Sequence, residues 1–490
     1  MESLPVWLLF LLVCCVLLTL GWKGAATKGL LPPGPTPLPL LGNFLQLDRK
    51  NVIKSLMKMS EEYGPVFTVY LGFRRVVVLC SYKVVKEALV EQAEEFSGRA
   101  QLPAFSKDFK EHGVVFSNGD RWKHLRRFSL HTLRNFGMGK RSVEEQIRTE
   151  AQFLVQELCK TEERPFDPVF IISRAVSNVI CSVVFGDRFE YDDEKFLVLN
   201  RLITERVASS PMAQLYNMFP EIMEKIPGPH HRGSKCSQEI ISFILERIEM
   251  RKALLDPCMP QNYIDCFLVK MEQEKQNPGT EFCLENLVMT TFNLFFAGTE
   301  TISTTLRYGF LIMLKHPHIQ DKIHKEIDRV IGRDRAPAGE DRSKMPYMEA
   351  VLHEIQRFSD ILPMSLPHAV TRNTHFRGYV IPKGTYVYPL LTTVHFDPEQ
   401  HSNPYEFDPG RFLDARGCFQ KADAFMPFSA GKRVCLGEGL ARMELFLFFT
   451  AILQAFTLTS PLPSEQISLE PIVSDLGKVP PLYQLSMLHR

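Results

Sequence analysis

Apolar and polar residues alternate with the period of an α-helix along most of the chain. This period covers the segments 125–136, 143–158, 240–255, 284–314, 346–358 and 440–456. Shorter segments rich in valine, isoleucine and tyrosine form two pairs, 66–70 with 75–79 around Gly72 and 379–381 with 386–387 around Gly384. Each pair predicts a β-hairpin. The pattern therefore predicts a mainly α protein with a small β part.

The longest predicted helix, 284–314, contains no proline, and at about 1.5 Å per residue it would cross the whole protein. Its middle is unusual, because Gly298, Glu300 and two threonines stand where a buried helix favours leucine. Glycine inside a helix costs about 1 kcal/mol against alanine. The sequence therefore predicts a space or a bulge here, and the alternative is a polar patch facing solvent.

The first 22 residues predict a membrane anchor. No residue from 4 to 22 is charged, and the stretch is just long enough to cross a bilayer. Lys23 and Lys28 follow it, which predicts an amino terminus in the lumen and a cytoplasmic body. We expect a transmembrane signal anchor at 1–22, a basic, proline-rich hinge at 23–40 and a catalytic domain at 41–490. Cleavage after the small residues 24–26 is the alternative.

Composition narrows the classes of function. The chain has 490 residues, 45% hydrophobic and 23% charged, which is typical of a globular protein, and its net charge of +1 gives no indication of nucleic-acid binding. Eleven cysteines without a C-x-x-C pair fit neither a disulfide framework nor a zinc ribbon, and they favour a reducing compartment. His230, His231 and Cys236 come nearest to a metal cluster, but their proline- and glycine-containing surroundings favour a solvated turn.

The segment 428–437 contains the residues that point most clearly to a reactive or cofactor-binding site. Cys435 directly precedes the apolar helix that begins near Leu440, so unpaired backbone N–H groups and the helix dipole are expected to favour its thiolate. Gly431 and Gly437 allow a tight turn and the close approach of a flat cofactor. A lone cysteine is more often a small buried hydrophobic residue, so the interpretation depends on the residues around it.

Those residues resemble the cytochrome P-450 superfamily, whose ligand loop reads F-x-x-G-x-R-x-C-x-G. The fixed positions are matched by Phe428, Gly431, Arg433, Cys435 and Gly437. The resemblance continues in an E-x-x-R pair, a downstream meander, a W-x-x-x-R motif and an A-G-x-[DE]-T motif. These are formed by Glu354 with Arg357, by 404–412 including Arg411, by Trp122 with Arg126, and by 297–301. Segments 96–99 and 366–370 are most similar to vertebrate microsomal family 2, nearest its subfamily C.

The resemblance implies a cytochrome P-450 fold with haem b between the long central helix and the cysteine loop. Cys435 would be the axial ligand of the haem iron. Haem propionates would be bound by Arg99, Trp122, Arg126, His368 and Arg433. Glu300 and Thr301 would be the catalytic pair that delivers protons, although Ile302 leaves Thr301 as the only hydroxyl at a position where many relatives have two. Structural roles fall to Glu354, Arg357 and Arg411. The substrate pocket would be lined by Val115, Phe116, Asn293, Phe296, Ala297, Ile361, Leu362, Leu366 and Leu476.

By the same resemblance, the function is an NADPH- and O2-dependent monooxygenase that hydroxylates or epoxidises lipophilic molecules. Xenobiotics, steroids and polyunsaturated fatty acids such as arachidonate all fit the apolar pocket. The chain has no P-loop, and its one G-x-G lies in the cysteine loop, so a partner must supply electrons. We expect that partner to be NADPH-cytochrome P-450 reductase at the endoplasmic reticulum membrane, with cytochrome b5 and membrane lipid as further candidates.

A basic surface could receive such a donor. It would consist of Arg121, Lys123, Arg126, Arg127, Arg134, Lys140, Arg141 and Lys432. A solvated helix face is the simpler interpretation of these charges. Two other functions remain open: a haem-thiolate isomerase or dehydratase of peroxides, and a haem carrier or sensor. Isomerase relatives tend to lose the acid–threonine pair, which is present here as Glu300 and Thr301.

Overall fold

The computed structural model describes residues 31–48, 51–103, 107–135, 141–207, 211–473 and 477–490. Its helices are α1 Val52–Tyr63, α2 Tyr82–Lys86, α3 Gly119–Asn135, α4 Arg141–Cys159, α5 Val169–Val184, α6 Glu194–Val207, α7 Pro211–Met218, α8 Pro220–Met223, α9 Arg232–Leu254, α10 Tyr263–Gln273, α11 Leu284–Lys315, α12 Pro317–Val330, α13 Pro346–Ser359, α14 Thr392–His395 and α15 Glu438–Ala455. The predicted helical segments correspond to α3, α4, α9, α11, α13 and α15, each within a few residues at its ends except at the start of α3 and α9. The mainly α prediction is confirmed.

The β part consists of short strands. They are β1 Val66–Leu71, β2 Arg74–Leu79, β3 Gly98–Arg99, β4 His368–Ala369, β5 Thr374–Phe376, β6 Tyr379–Ile381, β7 Tyr386–Pro389, β8 Phe456–Thr459, β9 Ile472–Val473, β10 Lys478–Val479 and β11 Ser486–His489. The first predicted hairpin is confirmed, since β1 and β2 pair from Val66 with Leu79 to Leu71 with Arg74. The largest sheet has the order β1-β2-β7-β4-β3.

The second predicted hairpin is wrong. β6 pairs with β5 across Arg377 and Gly378, which both have positive φ and so suit a tight two-residue turn. β7 instead runs parallel to β2, with Val76 opposite Tyr386, and joins the main sheet. The turn at Gly384 therefore connects two different sheets, because β7 finds its partner more than 300 residues earlier in the chain.

α11 forms the centre of the helical core and runs unbroken through its polar middle. No bulge occurs, and no space lies at Gly298 itself: a Cβ there would lie 3.1 Å from Cγ1 of Ile180 on α5, so glycine permits close packing of the two helices. Thr299 is fully buried, and its hydroxyl lies 3.2 Å from that of Ser177. The alternative of a polar patch facing solvent is therefore wrong for Thr299.

The predicted anchor, at 1–22, lies outside the described residues, as does most of the hinge. Among the helices that the structure describes, none is long and apolar enough to cross a membrane. The division of the chain into anchor, hinge and catalytic domain stays a prediction.

Candidate active site

Cys435 lies in a loop between a short 3-10 turn at Gly431–Arg433 and the start of α15. The backbone N–H of Cys435 donates to the carbonyl of Phe428 at 3.0 Å, which closes the loop. Gly431 has a φ of +72°, and a Cβ there would lie 1.7 Å from the carbonyl oxygen of Leu89. Only glycine fits at this position, so the loop is held tightly against the segment that follows α2.

The Cys435 side chain keeps accessible surface but is surrounded by protein, so its ionisation depends on that environment. Burial raises the pKa of Cys435, while the backbone N–H groups of Gly437 and Glu438 lower it. The prediction that backbone N–H groups at the helix start favour the thiolate is confirmed, although burial outweighs them and the pKa of Cys435 is raised overall. A coordinated metal cation reverses this balance, since a thiol bound to a metal is deprotonated.

The residues predicted to bind propionates lie together beside this loop. Strand pairing places Arg99 opposite His368. The guanidinium carbon of Arg433 lies 3.8 Å from the centre of the Trp122 ring, and Arg126 donates to the carbonyl of the residue before the cysteine at 2.6 Å. Burial and the charges of Arg99 and Arg126 lower the pKa of Arg433 to about 8. Three guanidinium groups thus share one buried region.

These donors fit a group that carries two carboxylates. Nη1 of Arg433 and Nε2 of His368 are buried without a hydrogen-bond partner among the described residues, and burial lowers the pKa of His368 to about 3. In the described part of the chain, no carboxylate forms an ion pair with Arg99, Arg126 or Arg433. Buried cations need anionic partners. The propionates of haem would supply them, with its iron at the accessible thiol of Cys435.

The predicted structural triad is complete. Arg357 binds the Glu354 carboxylate through two nitrogens, at 2.7 and 2.8 Å, and both side chains are fully buried. Arg411 donates to the same carboxylate at 2.9 Å, and the remaining Arg357 donors bind the carbonyls of His395 and Pro404. The network fixes the meander against α13 and satisfies both members of a buried ion pair.

A cavity of about 120 Å³ adjoins the middle of α11. All predicted pocket residues within the described chain line it, and Leu476 falls outside the described residues. Sequence reasoning missed Phe109, Phe292 and Thr304, which also line the cavity. Helical spacing could have indicated the last of these, because Thr304 is four residues from Glu300 on α11 and therefore shares its face.

The two predicted catalytic residues both line this cavity. Burial raises the pKa of Glu300 to about 7, while the charge of Arg307 and a hydrogen bond from the Thr304 hydroxyl, at 3.2 Å, lower it. The Thr301 hydroxyl donates to the carbonyl of Ala297 at 2.9 Å, which leaves its oxygen free to accept a further hydrogen bond. Thr304 thus places a second hydroxyl at the cavity, whereas Ile302, next to Thr301, carries none.

Comparison with known proteins agrees with this geometry. The cytochrome P450 family profile matches residues 32–487. Cytochrome P450 2F3 of Capra hircus is 55% identical over 490 residues, which cover 100% of this chain and 99% of that protein. Cytochrome P450 2G1 of Oryctolagus cuniculus is 53% identical over all of both chains, and cytochrome P450 2A13 of Homo sapiens is 54% identical over 99% of each.

The chain is a cytochrome P450. The relatives named above belong to family 2, as predicted, and carry the subfamily letters F, G and A. Members of this family are haem-thiolate monooxygenases that use electrons from NADPH through a reductase. This P450 is therefore a haem-thiolate monooxygenase of lipophilic substrates, and the isomerase and carrier alternatives are wrong.

The remaining predictions concern the surface of this P450. Arg127 and Arg134 on α3 are exposed. By contrast, Arg121, Lys123 and Lys432 form ion pairs with Glu281, Asp120 and Glu94. Lys140 and the Arg141 side chain lie outside what the structure describes.

The imidazoles of His230 and His231 bind backbone carbonyls, and no cluster of three metal-binding side chains occurs among the described residues.

Proposed function

We propose that this P450 hydroxylates or epoxidises small, flat, lipophilic molecules at a haem bound through Cys435. The shape of the cavity carries this proposal. Its volume of about 120 Å³ is below the range of about 300–1,000 Å³ that drug-sized ligands occupy. Four phenylalanines line it, Phe109, Phe116, Phe292 and Phe296, and aromatic walls favour flat apolar ligands. Among the predicted substrate classes, aromatic xenobiotics fit better than steroids or arachidonate.

A substrate panel tests this preference. Binding of a bicyclic aromatic hydrocarbon, a steroid and arachidonate can be followed by the change in the haem absorption spectrum. Product formation can then be measured by mass analysis after reconstitution with reductase. We expect the aromatic compound to bind most tightly and to give oxygenated product. Tighter binding and faster turnover of the steroid or the fatty acid would contradict the size argument.

When bound, the haem would supply oxygen activation, and the protein would supply the residues that hold the haem in place. We propose that Cys435 binds the iron and that Arg99, Trp122, Arg126, His368 and Arg433 bind the propionates. Cys435→His is expected to retain haem but to lose the red-shifted carbon monoxide band of thiolate ligation. Cys418→Ser is a suitable control, because Cys418 is exposed and lies outside the 428–437 loop. A red-shifted band in Cys435→His would contradict the assignment.

We propose that Glu300 and Thr301 hold and move protons at the carboxyl and hydroxyl groups that face the cavity. Both line the cavity, and a carboxyl group with a pKa near neutrality can both accept and donate a proton. Thr304 positions this carboxyl through its hydroxyl. The other lining residues are mostly apolar, so protons would pass through these polar groups.

We propose that the exposed cations Arg127 and Arg134 form the centre of the reductase-binding face. Cytochrome b5 is a second candidate for the same face. Charge reversal at Arg127 should slow reductase-supported turnover at low salt and leave substrate binding unchanged, because an acidic partner would lose an attractive charge. Lys252→Glu on α9 is the control, since Lys252 is equally exposed. Equal rates for Arg127→Glu and wild type at low salt would exclude this face.

We propose that residues 1–22 anchor the protein in the endoplasmic reticulum membrane, with the amino terminus in the lumen and the catalytic domain in the cytoplasm. An exposed apolar patch supports this orientation. Leu40, Leu45, Phe73 and Ile222 are 54–61% exposed, and the ring of Phe73 contacts that of Phe219 edge-on. The patch adjoins the hinge, so it would contact lipid beside the anchor.

A truncated protein distinguishes membrane binding by the anchor at residues 1–22 from membrane binding by the exposed apolar patch. Deletion of residues 1–29 should leave a folded haem protein that still binds vesicles of microsomal lipid weakly. Phe73→Ser in that protein should reduce vesicle binding, whereas Leu254→Ser, at a residue that is 70% exposed on α9, should not. Equal vesicle binding by the two variants would contradict a lipid-contacting patch.

A further inference from the structure

A second cleft lies between α4 and α15, apart from the haem site. Its volume is about 250 Å³, and it shares no lining residue with the substrate cavity. Both helices carry alanine where they face each other, at Ala151 on α4 and at Ala451 and Ala455 on α15. Small side chains on facing helices leave room between them, and Val155 and Leu447 add apolar walls. The segment 336–337 closes one side.

Among the described residues, one cation at this cleft forms no ion pair. Arg148 lines it, and the Nε of Arg148 is buried without a hydrogen-bond partner in the described part of the chain. The nearest acid on the same helix face is Glu144, one turn earlier, which accepts a hydrogen bond from the backbone N–H of Gly339 at 2.8 Å. Arg335, beside the cleft, is already paired with Asp341. A buried guanidinium donor without a partner is costly, and an anion would satisfy it.

Of the polar groups at the cleft, Arg148 is the one available to bind an anion. Gln454 donates both of its amide hydrogens to the carbonyls of Gly332 and Arg335, so they are not available to a ligand. Gln152 and Gln156 are exposed and line the mouth of the cleft. In the part of the chain that the structure describes, the cleft therefore combines a half-buried cation whose Nε has no partner with apolar walls and a mouth lined by glutamines.

We propose that this cleft binds an amphiphilic carboxylate with a short alkyl chain, such as octanoate, with its carboxylate on Arg148. The chain would lie against Ala151, Ala451 and Leu447. At about 30 Å³ for each water-sized group, the cleft holds about eight such groups, which suits a short fatty acid rather than a long one. Charge complementarity selects a carboxylate over a neutral alcohol of the same length.

The test uses the full-length holoenzyme with its haem site blocked by a saturating azole that ligates the iron, because octanoate could also enter the substrate cavity. Octanoate binding is measured by saturation-transfer NMR and by the rise in the thermal unfolding midpoint that a ligand of the folded state produces. We expect Arg148→Gln to bind octanoate at least about tenfold more weakly, as loss of a charge-assisted hydrogen bond implies. Octanol should bind wild type and Arg148→Gln equally, and Lys252→Gln should behave as wild type.

Gln152→Glu provides an independent variant whose folding is not at risk, because Gln152 is exposed. Its carboxylate would stand at the mouth and should weaken octanoate binding without affecting octanol. A normal carbon monoxide spectrum shows that each variant is folded. Absence of octanoate binding to the blocked wild type, or unchanged octanoate affinity in Arg148→Gln or in Gln152→Glu, would overturn the proposal.

Discussion

Replacement of Glu300 by Gln tests whether the carboxyl group beside the substrate cavity delivers protons. Burial raises the pKa of Glu300 from its ordinary value of 4.5 to about 7. With that pKa, about 90% of the carboxyl groups hold a proton at pH 6 and about 10% at pH 8. If the protonated carboxyl is required for product formation, product formed per NADPH should fall by up to about tenfold between these two pH values.

The assay is the ratio of product to NADPH consumed in the reconstituted enzyme between pH 6 and pH 8. A ratio is preferable to a rate, because it does not depend on how fast the reductase supplies electrons. Glu300→Gln should lower the ratio at pH 6 and remove its dependence on pH. Glu285→Gln is a matched control on the same helix, since Glu285 is exposed and its pKa is lowered rather than raised.

Stability gives a second measurement of the same pKa. Between pH 4.5 and about 7 the folded protein holds a proton on Glu300 that the unfolded chain has lost, so stability falls as pH rises through this window. The difference between the two pKa values corresponds to at most about 3 kcal/mol, and Glu300→Gln should remove this dependence. The reasoning is refuted if wild type and Glu300→Gln show the same pH dependence of both the product ratio and the thermal midpoint.

The remaining predictions concern single residues of the haem site and its support. Thr301→Ala should lower product per NADPH and raise hydrogen peroxide, with substrate binding unchanged; an unaltered product ratio would argue against its proton role. Arg357→Met should cost about 3–5 kcal/mol, because it leaves the buried Glu354 carboxylate without its main partner, and it should abolish haem incorporation; a normal yield of holoenzyme would contradict this. Gly431→Ala should also prevent haem incorporation, because its Cβ would overlap the Leu89 carbonyl. Gly417→Ala, at a similar φ but in open space, should leave the carbon monoxide spectrum intact.

Local sequence determined the helical core and the position of the proposed iron ligand. The apolar period predicted α11 almost to the residue, since a long helix depends mainly on contacts within a few turns. The ligand motif was recognisable because its fixed positions lie within ten consecutive residues, 428–437. Helical spacing also placed Glu354 and Arg357 on one face of α13 before the structure showed their ion pair.

Tertiary structure decided what depends on distant segments. β7 pairs with β2 rather than with β6. A strand hydrogen-bonds to the strand edge that the fold brings next to it, and this edge need not belong to the neighbouring strand in sequence. The ionisation of Cys435 followed burial, which no neighbouring residue in the chain reveals. The cleft beside Arg148 likewise exists only where two helices, nearly 300 residues apart, face each other with small side chains. Periodicity and motifs are local properties of the sequence, whereas pairing, burial and cavities depend on which distant surfaces the folded chain brings together.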